Sequence, residues 1–287
     1  MTICYTLDSF NDVVSCIPTN CKIGFIPTMG ALHQGHISLV QKAKEYTNHV
    51  VVSIFVNPTQ FNNSNDLANY PRTIEEDCKK LEAAGVSIIF IPSVKEIYPQ
   101  KDHRVFNFAG LDTTGEGPGR PGHFNGVVQV VSRLFDIVKP KYAFFGEKDF
   151  QQLAIIKYIT KELNYPIEII ACPTIRESDG LAMSSRNLLL DPNQRVAASL
   201  IYKTLTKTAQ MVSAQVVSAQ NLLNPNDLSL WVTSQINNNP LLKVEYVQII
   251  NSSTLQLITK WSDSDNIQLC TAVHTGSVRL IDNIKLK

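Results

Sequence analysis

The sequence predicts an α/β protein, a doubly wound parallel sheet followed by a smaller α+β domain. Three observations carry the prediction. Five short runs rich in Val, Ile and Phe fall before residue 173, and both faces of each are apolar, as in central parallel strands covered by helices. Windows with apolar residues at helical spacing lie between these runs, the alternation of a doubly wound sheet. After Cys172 the texture changes to the polar, glycine-bearing "PTIRESDGLAMSSRN" (173–187), which places a boundary near 174. The expected domains are therefore 1–174 and 175–287.

The strand runs are "KIGFIPT" (22–28), "HVVVSIFV" (49–56), "VSIIFIP" (86–92), "KYAFFG" (141–146) and "PIEIIAC" (166–172). Between them, residues 36–47 place Ile37, Leu39, Val40 and Ala43 at helical spacings. Residues 73–84 open with Thr73 and Glu76 at the spacing of a capping box and stop at Gly85. Residues 125–138 carry Val127, Val130, Val131, Leu134 and Val138 on one face, and residues 150–163 carry Leu153, Ile156 and Ile159. In the second domain, helical windows span 192–213 and 226–238. Strand-like runs follow at 243–250, 267–273 and 277–282.

The chain of 287 residues is 44% hydrophobic, enough to bury a substantial core, and its 26 Lys+Arg against 25 Asp+Glu leave a net charge of +1. That balance carries no electrostatic footprint of nucleic acid or membrane binding, so neither is an expected partner. Six scattered cysteines with no C-x-x-C pair read as reduced thiols. The N-terminal stretch has no signal-peptide pattern, and the expected location is the cytoplasm.

Five polar stretches carry chemistry. In "PTMGALHQGH" (27–36), Gly30 and Gly35 let backbone approach a ligand, and His33 and His36 stand three apart where a strand becomes a helix. A helix N-terminus at a strand's carboxyl end offers unpaired N–H groups to a phosphate. A zinc site is a poorer reading, because no third ligand with metal-like spacing is near. "SIFVNPTQF" (53–61) brings Gln60 to the same edge. "GEGPGRPGHFNGV" (115–127) suggests a mobile loop with Arg120 and His123 able to close over phosphates. "FFGEKDFQQL" (144–153) follows another strand with Lys148 as a point charge for phosphate and Asp149 as a candidate helix cap. "MSSRN" (183–187) combines two hydroxyls and an arginine, a phosphate clamp or simply a Ser-rich turn. P-loop, G-x-G-x-x-G and G-x-S-x-G patterns are absent from the sequence.

Together with "YPRT" (70–73) and "DGLAMSSRN" (179–187), these blocks closely resemble the pantothenate synthetase (pantoate–β-alanine ligase) family over roughly residues 22–190. The run His33-Gln34-Gly35-His36 resembles the HxGH signature of nucleotidyltransferases, so the resemblance implies a Rossmann-like sheet of that type. It also implies an ATP- and pantoate-binding first domain, a C-terminal domain acting as a lid, and a homodimer. The implied reaction joins pantoate and β-alanine at the expense of Mg2+-bound ATP through a pantoyl adenylate, releasing AMP and pyrophosphate. The alternative is another nucleotidyltransferase of the superfamily. By the same resemblance, His33, His36 and Lys148 are catalytic. Met29, Gly30, Ala31, Leu32, His33, Gln34, Gly35, His36, Gly146, Glu147, Lys148, Asp149, Ile175, Met183, Ser184, Ser185 and Arg186 line the ATP site. Gln60 and Gln152 hold pantoate, and Gln60 also meets β-alanine. The acidic run Glu75, Glu76 and Asp77 reads as favourable charge in a helix's first turn, and no protein ligand for a metal is expected.

Overall fold

A computed structural model describes residues 1–62, 64–218 and 223–287. In chain order it contains β1 (Thr2–Cys4), α1 (Leu7–Ser15), β2 (Ile23–Thr28), α2 (Gln34–Lys44), β3 (His49–Ile54), α3 (Ser64–Asn69), α4 (Ile74–Ala83), β4 (Ile88–Phe90), α5 (Val94–Ile97) and α6 (Glu116–Gly119). Then follow α7 (His123–Val138), β5 (Tyr142–Gly146), α8 (Phe150–Glu162), β6 (Glu168–Cys172), α9 (Pro192–Ser218), α10 (Pro225–Asn237), β7 (Lys243–Asn251), β8 (Ile267–Thr275) and β9 (Val278–Lys285). The chain divides into two compact units. One comprises Met1–Phe108, Arg120–Glu147 and Ile155–Ile175; the other comprises Ala109–Gly119, Lys148–Ala154 and Arg176–Lys287. Two segments upstream of residue 175 thus cluster with the C-terminal residues.

The first unit is built on a six-stranded sheet of order β1-β4-β3-β2-β5-β6 in which every pairing is parallel. The doubly wound reading holds because successive strand residues bury opposite faces. Ile26, Val52, Ile89 and Phe144 pack with Leu39, Val40 and Ala43 of α2 and Leu81 of α4. The alternate residues meet aromatic partners: Phe25 and Phe145 both pack edge-on against Phe135 of α7, and Phe90 lies 4.7 Å from Phe10 of α1. The sequence patterns do not signal β1 and α1; three residues at a sheet edge are too few for a periodic signal.

The strand order reverses between β2 and β5, the switch point at which open α/β sheets bind ligands. Pairing of β2 with β3 runs from Ile23 to Thr28, but pairing of β2 with β5 covers only Gly24 and Phe25. A covalent reason is present. The Ile23 carbonyl accepts from Lys141 N–H ahead of β5, whereas the Thr28 carbonyl accepts from Phe55 N–H just past β3. Alternation then turns the backbone of residue 27 toward β5, and residue 27 is proline, which has no N–H.

The second unit carries an antiparallel meander, β7-β8-β9. One face of it packs against Ile201 and Leu205 of α9 and Leu228, Val232 and Ile236 of α10 through Leu269, Val273 and Leu280. Its strands run longer than the sequence patterns at 243–250, 267–273 and 277–282, because ladder hydrogen bonds continue past the last apolar pair.

Candidate active site

The loop between β2 and α2 turns through two consecutive left-handed residues, Gly30 at φ 82° and Ala31 at φ 50°. It then enters α2 with His33 as N-cap. The imidazoles hold each other's backbone. His33 Nδ1 accepts from Gly35 N–H at 3.1 Å, and His36 Nδ1 accepts from His33 N–H at 3.3 Å. The ring centroids are 4.1 Å apart. An Nδ1 that accepts cannot carry the proton, so each neutral ring bears it on Nε2.

The helix N-terminus does not present a row of unpaired amides. Gly30 N–H donates to Thr28 Oγ1, Ala31 and Leu32 N–H donate to the Asp77 carboxylate, and His36 N–H donates to the His33 carbonyl. His33 and Gly35 N–H are satisfied as well, by His36 Nδ1 and His33 Nδ1. The capping box expected at Thr73 and Glu76 is also absent: Thr73 makes no side-chain cap. Its hydroxyl donates instead to Asp77 Oδ1 at 3.1 Å.

Gln60 ends a short 3-10 turn, Pro58–Gln60, after β3. Its Nε2 lies 3.0 Å from the Met29 sulfur, and its Oε1 accepts from buried Asn57. Asn57 Nδ2 also donates to the carbonyl of Gly126 in α7. A side chain at position 126 would strike the backbone of Thr59 and Gln60, which is why glycine stands there. His123 is not in a mobile loop, as the sequence suggested. It is the buried first residue of α7, with Nδ1 2.8 Å from the Gln60 carbonyl. Asn57, Gly126 and His123 therefore fix Gln60, a supporting set that strand-end motifs alone did not reveal. Arg120 lies in the same unit, two residues before the glycine that precedes α7. At the end of β5, a side chain on Gly146 would meet nothing within 4 Å, so the space above that strand is open. Glu147 is exposed, and Ile175 closes the last segment of this unit.

The remaining candidates belong to the second unit. Lys148 is partly buried, with Nζ 3.9 Å from Asp149, and its carbonyl accepts from Asn283. In α8 the neighbouring glutamines divide. The Gln151 amide is committed to the carbonyls of Leu111 and Thr114 and to Glu116 N–H. The half-buried Gln152 amide makes no hydrogen bond within the described residues. Ser184 caps a 3-10 turn, Ser185–Leu189, by accepting from Arg186 N–H; Ser185 is buried and Met183 is half-buried.

The first part of the stretch read as a mobile loop, residues 115–119, is pinned in the second unit. Glu116, only 6% exposed, receives both Arg279 guanidinium nitrogens at 2.7 and 2.8 Å and the Tyr246 hydroxyl at 2.7 Å. Burial pushes the Tyr246 phenol well above its usual range, and the Glu116 charge adds to that. The Arg279 hydrogen bond holds Glu245 below the usual carboxylate range.

Comparison with known proteins adds to this geometry. A family model described as pantoate-beta-alanine ligase matches residues 2–285. A pantothenate synthetase of Bacteroides thetaiotaomicron is 50% identical over 266 residues, covering 93% of this chain and 92% of the relative. The crystal structure of pantothenate synthetase from Thermus thermophilus superposes with a TM-score of 0.91 at 36% identity, over 100% of this chain and 99% of that one. A Francisella tularensis pantoate–β-alanine ligase complexed with beta-gamma ATP and β-alanine gives 0.82 at 37% identity, over 100% and 98%. A match along nearly the whole chain, at half identity and on the same fold, leaves one assignment: the chain belongs to the pantoate–β-alanine ligase family.

Proposed function

We propose that this chain condenses pantoate with β-alanine, using ATP, in two steps. A pantoate carboxylate oxygen attacks the α-phosphorus, the bond to the β-phosphate bridge breaks, and pyrophosphate leaves. The β-alanine amine then attacks the acyl carbon of the pantoyl adenylate, the bond to AMP breaks, and the amine gives up a proton. A free carboxylate resists attack by an amine, whereas an acyl phosphate carries a good leaving group.

The observation that carries the reading is the paired histidine cap at the switch point. Backbone donors occupy both Nδ1 atoms, so His33 and His36 meet phosphate oxygens as Nε2–H donors, fixed before substrate arrives. Gln60, held from behind by His123 and Asn57, orients the pantoate hydroxyls and carboxylate and the incoming β-alanine. Gln152 joins it on pantoate, and Lys148, Ser184, Ser185 and Arg186 meet the phosphates as charge and hydroxyl donors. Residues 1–174 act as the ATP- and pantoate-binding domain and residues 175–287 as its lid, with two copies forming a homodimer in the cytoplasm.

Among the described residues no group of three or more His, Cys, Asp or Glu converges as a metal site, and the buried Asp77 carboxylate is occupied by amides and a hydroxyl. Mg2+ would be carried on the ATP phosphates, and the chemistry it would supply is neutralisation of phosphate charge.

The test is product analysis. AMP and pyrophosphate should form with ATP, pantoate and β-alanine together, and pyrophosphate exchange into ATP should need pantoate alone. His36→Ala should lower turnover about 10²–10³-fold, the scale of removing one electrostatic donor. AMP formation indifferent to pantoate would sink the proposal. A stable dinucleotide product with a phosphate ester would favour the nucleotidyltransferase reading.

A further inference from the structure

The buried carboxylate under the histidine loop has a use that the reaction chemistry does not require. Asp77 sits in the first turn of α4 and is 0% exposed. Its Oδ2 accepts from Ala31 N–H at 2.8 Å, and its Oδ1 accepts from Leu32 N–H at 2.8 Å and from the Thr73 hydroxyl at 3.1 Å. One turn further along the same helix, Lys80 Nζ donates to the Leu32 carbonyl at 2.7 Å. Helix α4 thus grips the peptide groups around Ala31 and Leu32 through donors and acceptors alike.

Successive amides around a left-handed residue form a concave anion receptor, the arrangement that cradles phosphate in other proteins. Here a side chain of the same chain fills it. Ala31 is held at φ 50°, a conformation an L-residue adopts only when its surroundings impose it. Glycine is required next to it on two grounds: Gly30 has φ 82°, and a side chain there would stand 3.1 Å from Asp77 Oδ2.

We propose that Asp77 is the positioning residue of the active site: its carboxylate substitutes for phosphate in the loop's anion receptor and thereby fixes where His33 and His36 present their Nε2–H groups. The proposal deepens the ligase reading and rests on it for its kinetic consequences. Asparagine at 77 keeps the shape but offers one oxygen and one NH2, so one of the two loop amides then faces a donor.

The experiment uses the full-length enzyme with ATP, pantoate and β-alanine. The folded fraction is measured by active-site titration. In D77N, turnover per folded molecule should fall about 10- to 100-fold, the effect expected of a displaced catalytic group. KM for ATP should change less than turnover. Glycine at 31 accepts a positive φ freely, so D77N/A31G should recover about fivefold over D77N. A residue that only stabilises the fold would lower the folded fraction, leave turnover per folded molecule alone, and show no such rescue. D77N turnover per folded molecule within twofold of wild type, or no rescue by A31G, overturns the proposal. If D77N does not fold, T73V, which removes only the hydroxyl donor to Oδ1, takes its place with a severalfold loss as the expected result and none as the overturning one. Amide hydrogen exchange separates this from the ligase reading: Ala31 and Leu32 should exchange at least about tenfold faster in D77N whatever the enzyme makes. Unchanged exchange there overturns the clamp even if the wild type proves to be the ligase. Wild type that forms no AMP overturns the ligase reading while leaving the exchange result to judge the clamp.

Discussion

Two glycine-bearing stretches, "MGALHQGH" in the first unit and "TGEGPG" in the second, look alike in sequence and are both anchored by a buried carboxylate, but the anchors differ in kind. Asp77 receives neutral donors: two amides from a loop 46 and 45 residues away in sequence, and the Thr73 hydroxyl from the start of its own helix. Glu116 receives a guanidinium and a phenol from a sheet 130 and 163 residues away. Neutral donors fix the shape of a backbone turn, so the first loop is held in a conformation. A forked cation fixes the place of a side chain, so the second is held at a position. Glycine content by itself did not distinguish a mobile loop from a pinned one.

Substitutions that separate the two anchors sharpen this contrast. The largest effect is expected for E116A, which leaves Arg279 with Glu245 alone and strands the Tyr246 hydroxyl; a loss of about 3 kcal/mol in urea unfolding is expected. E116Q, which keeps the shape and one acceptor, should lose less, and equal losses would contradict a charge-based anchor. Next comes G30A in the first loop, where a left-handed φ and contact with Ile54 and Asp77 combine to cost about 2 kcal/mol, with a matching loss of turnover. Stability lost without any loss of turnover would break the link between that turn and the histidines. K80M keeps the aliphatic stem and removes the donor to Leu32, at about 0.5–1 kcal/mol by denaturant midpoint.

The smallest effect is read through pH. Glu245 titrates below its unfolded value because Arg279 donates to it, so its contribution is complete above about pH 4.3 and fades as pH falls toward the depressed value. The stability difference between wild type and E245Q should therefore shrink on acidification below that point. A difference that grows on acidification would reverse the sign and remove the pair from the account. Glu245 is partly exposed, and the effect is correspondingly below about 1 kcal/mol.

The central strands and their helices were legible because Val/Ile/Phe runs buried on both faces leave one solution, a covered parallel sheet. The histidine pair was legible as chemistry, because it follows a strand and opens a helix. What escaped the sequence is long-range partnership. Thr73 matched a local capping pattern, yet its hydroxyl turns inward to Asp77, whose value lies in amides from another element. Gln151 and Gln152 are identical neighbours, and only the helix phase assigns the first to internal carbonyls. His123 read as part of a mobile loop because glycine and proline surround it, whereas α7 begins at it and buries it against Gln60.

The proline that ends the contact between β2 and β5 has a wider meaning. Sheets close like zips, and a parted pair of strands normally re-forms whenever its occupant leaves. Residue 27 is a tooth missing from that zip on the β5 side, so the gap is a property of the covalent chain and not of any bound molecule. A ligand seated between the two strand ends would have no hydrogen-bond ladder to break at residue 27, which removes one of the costs that binding otherwise carries.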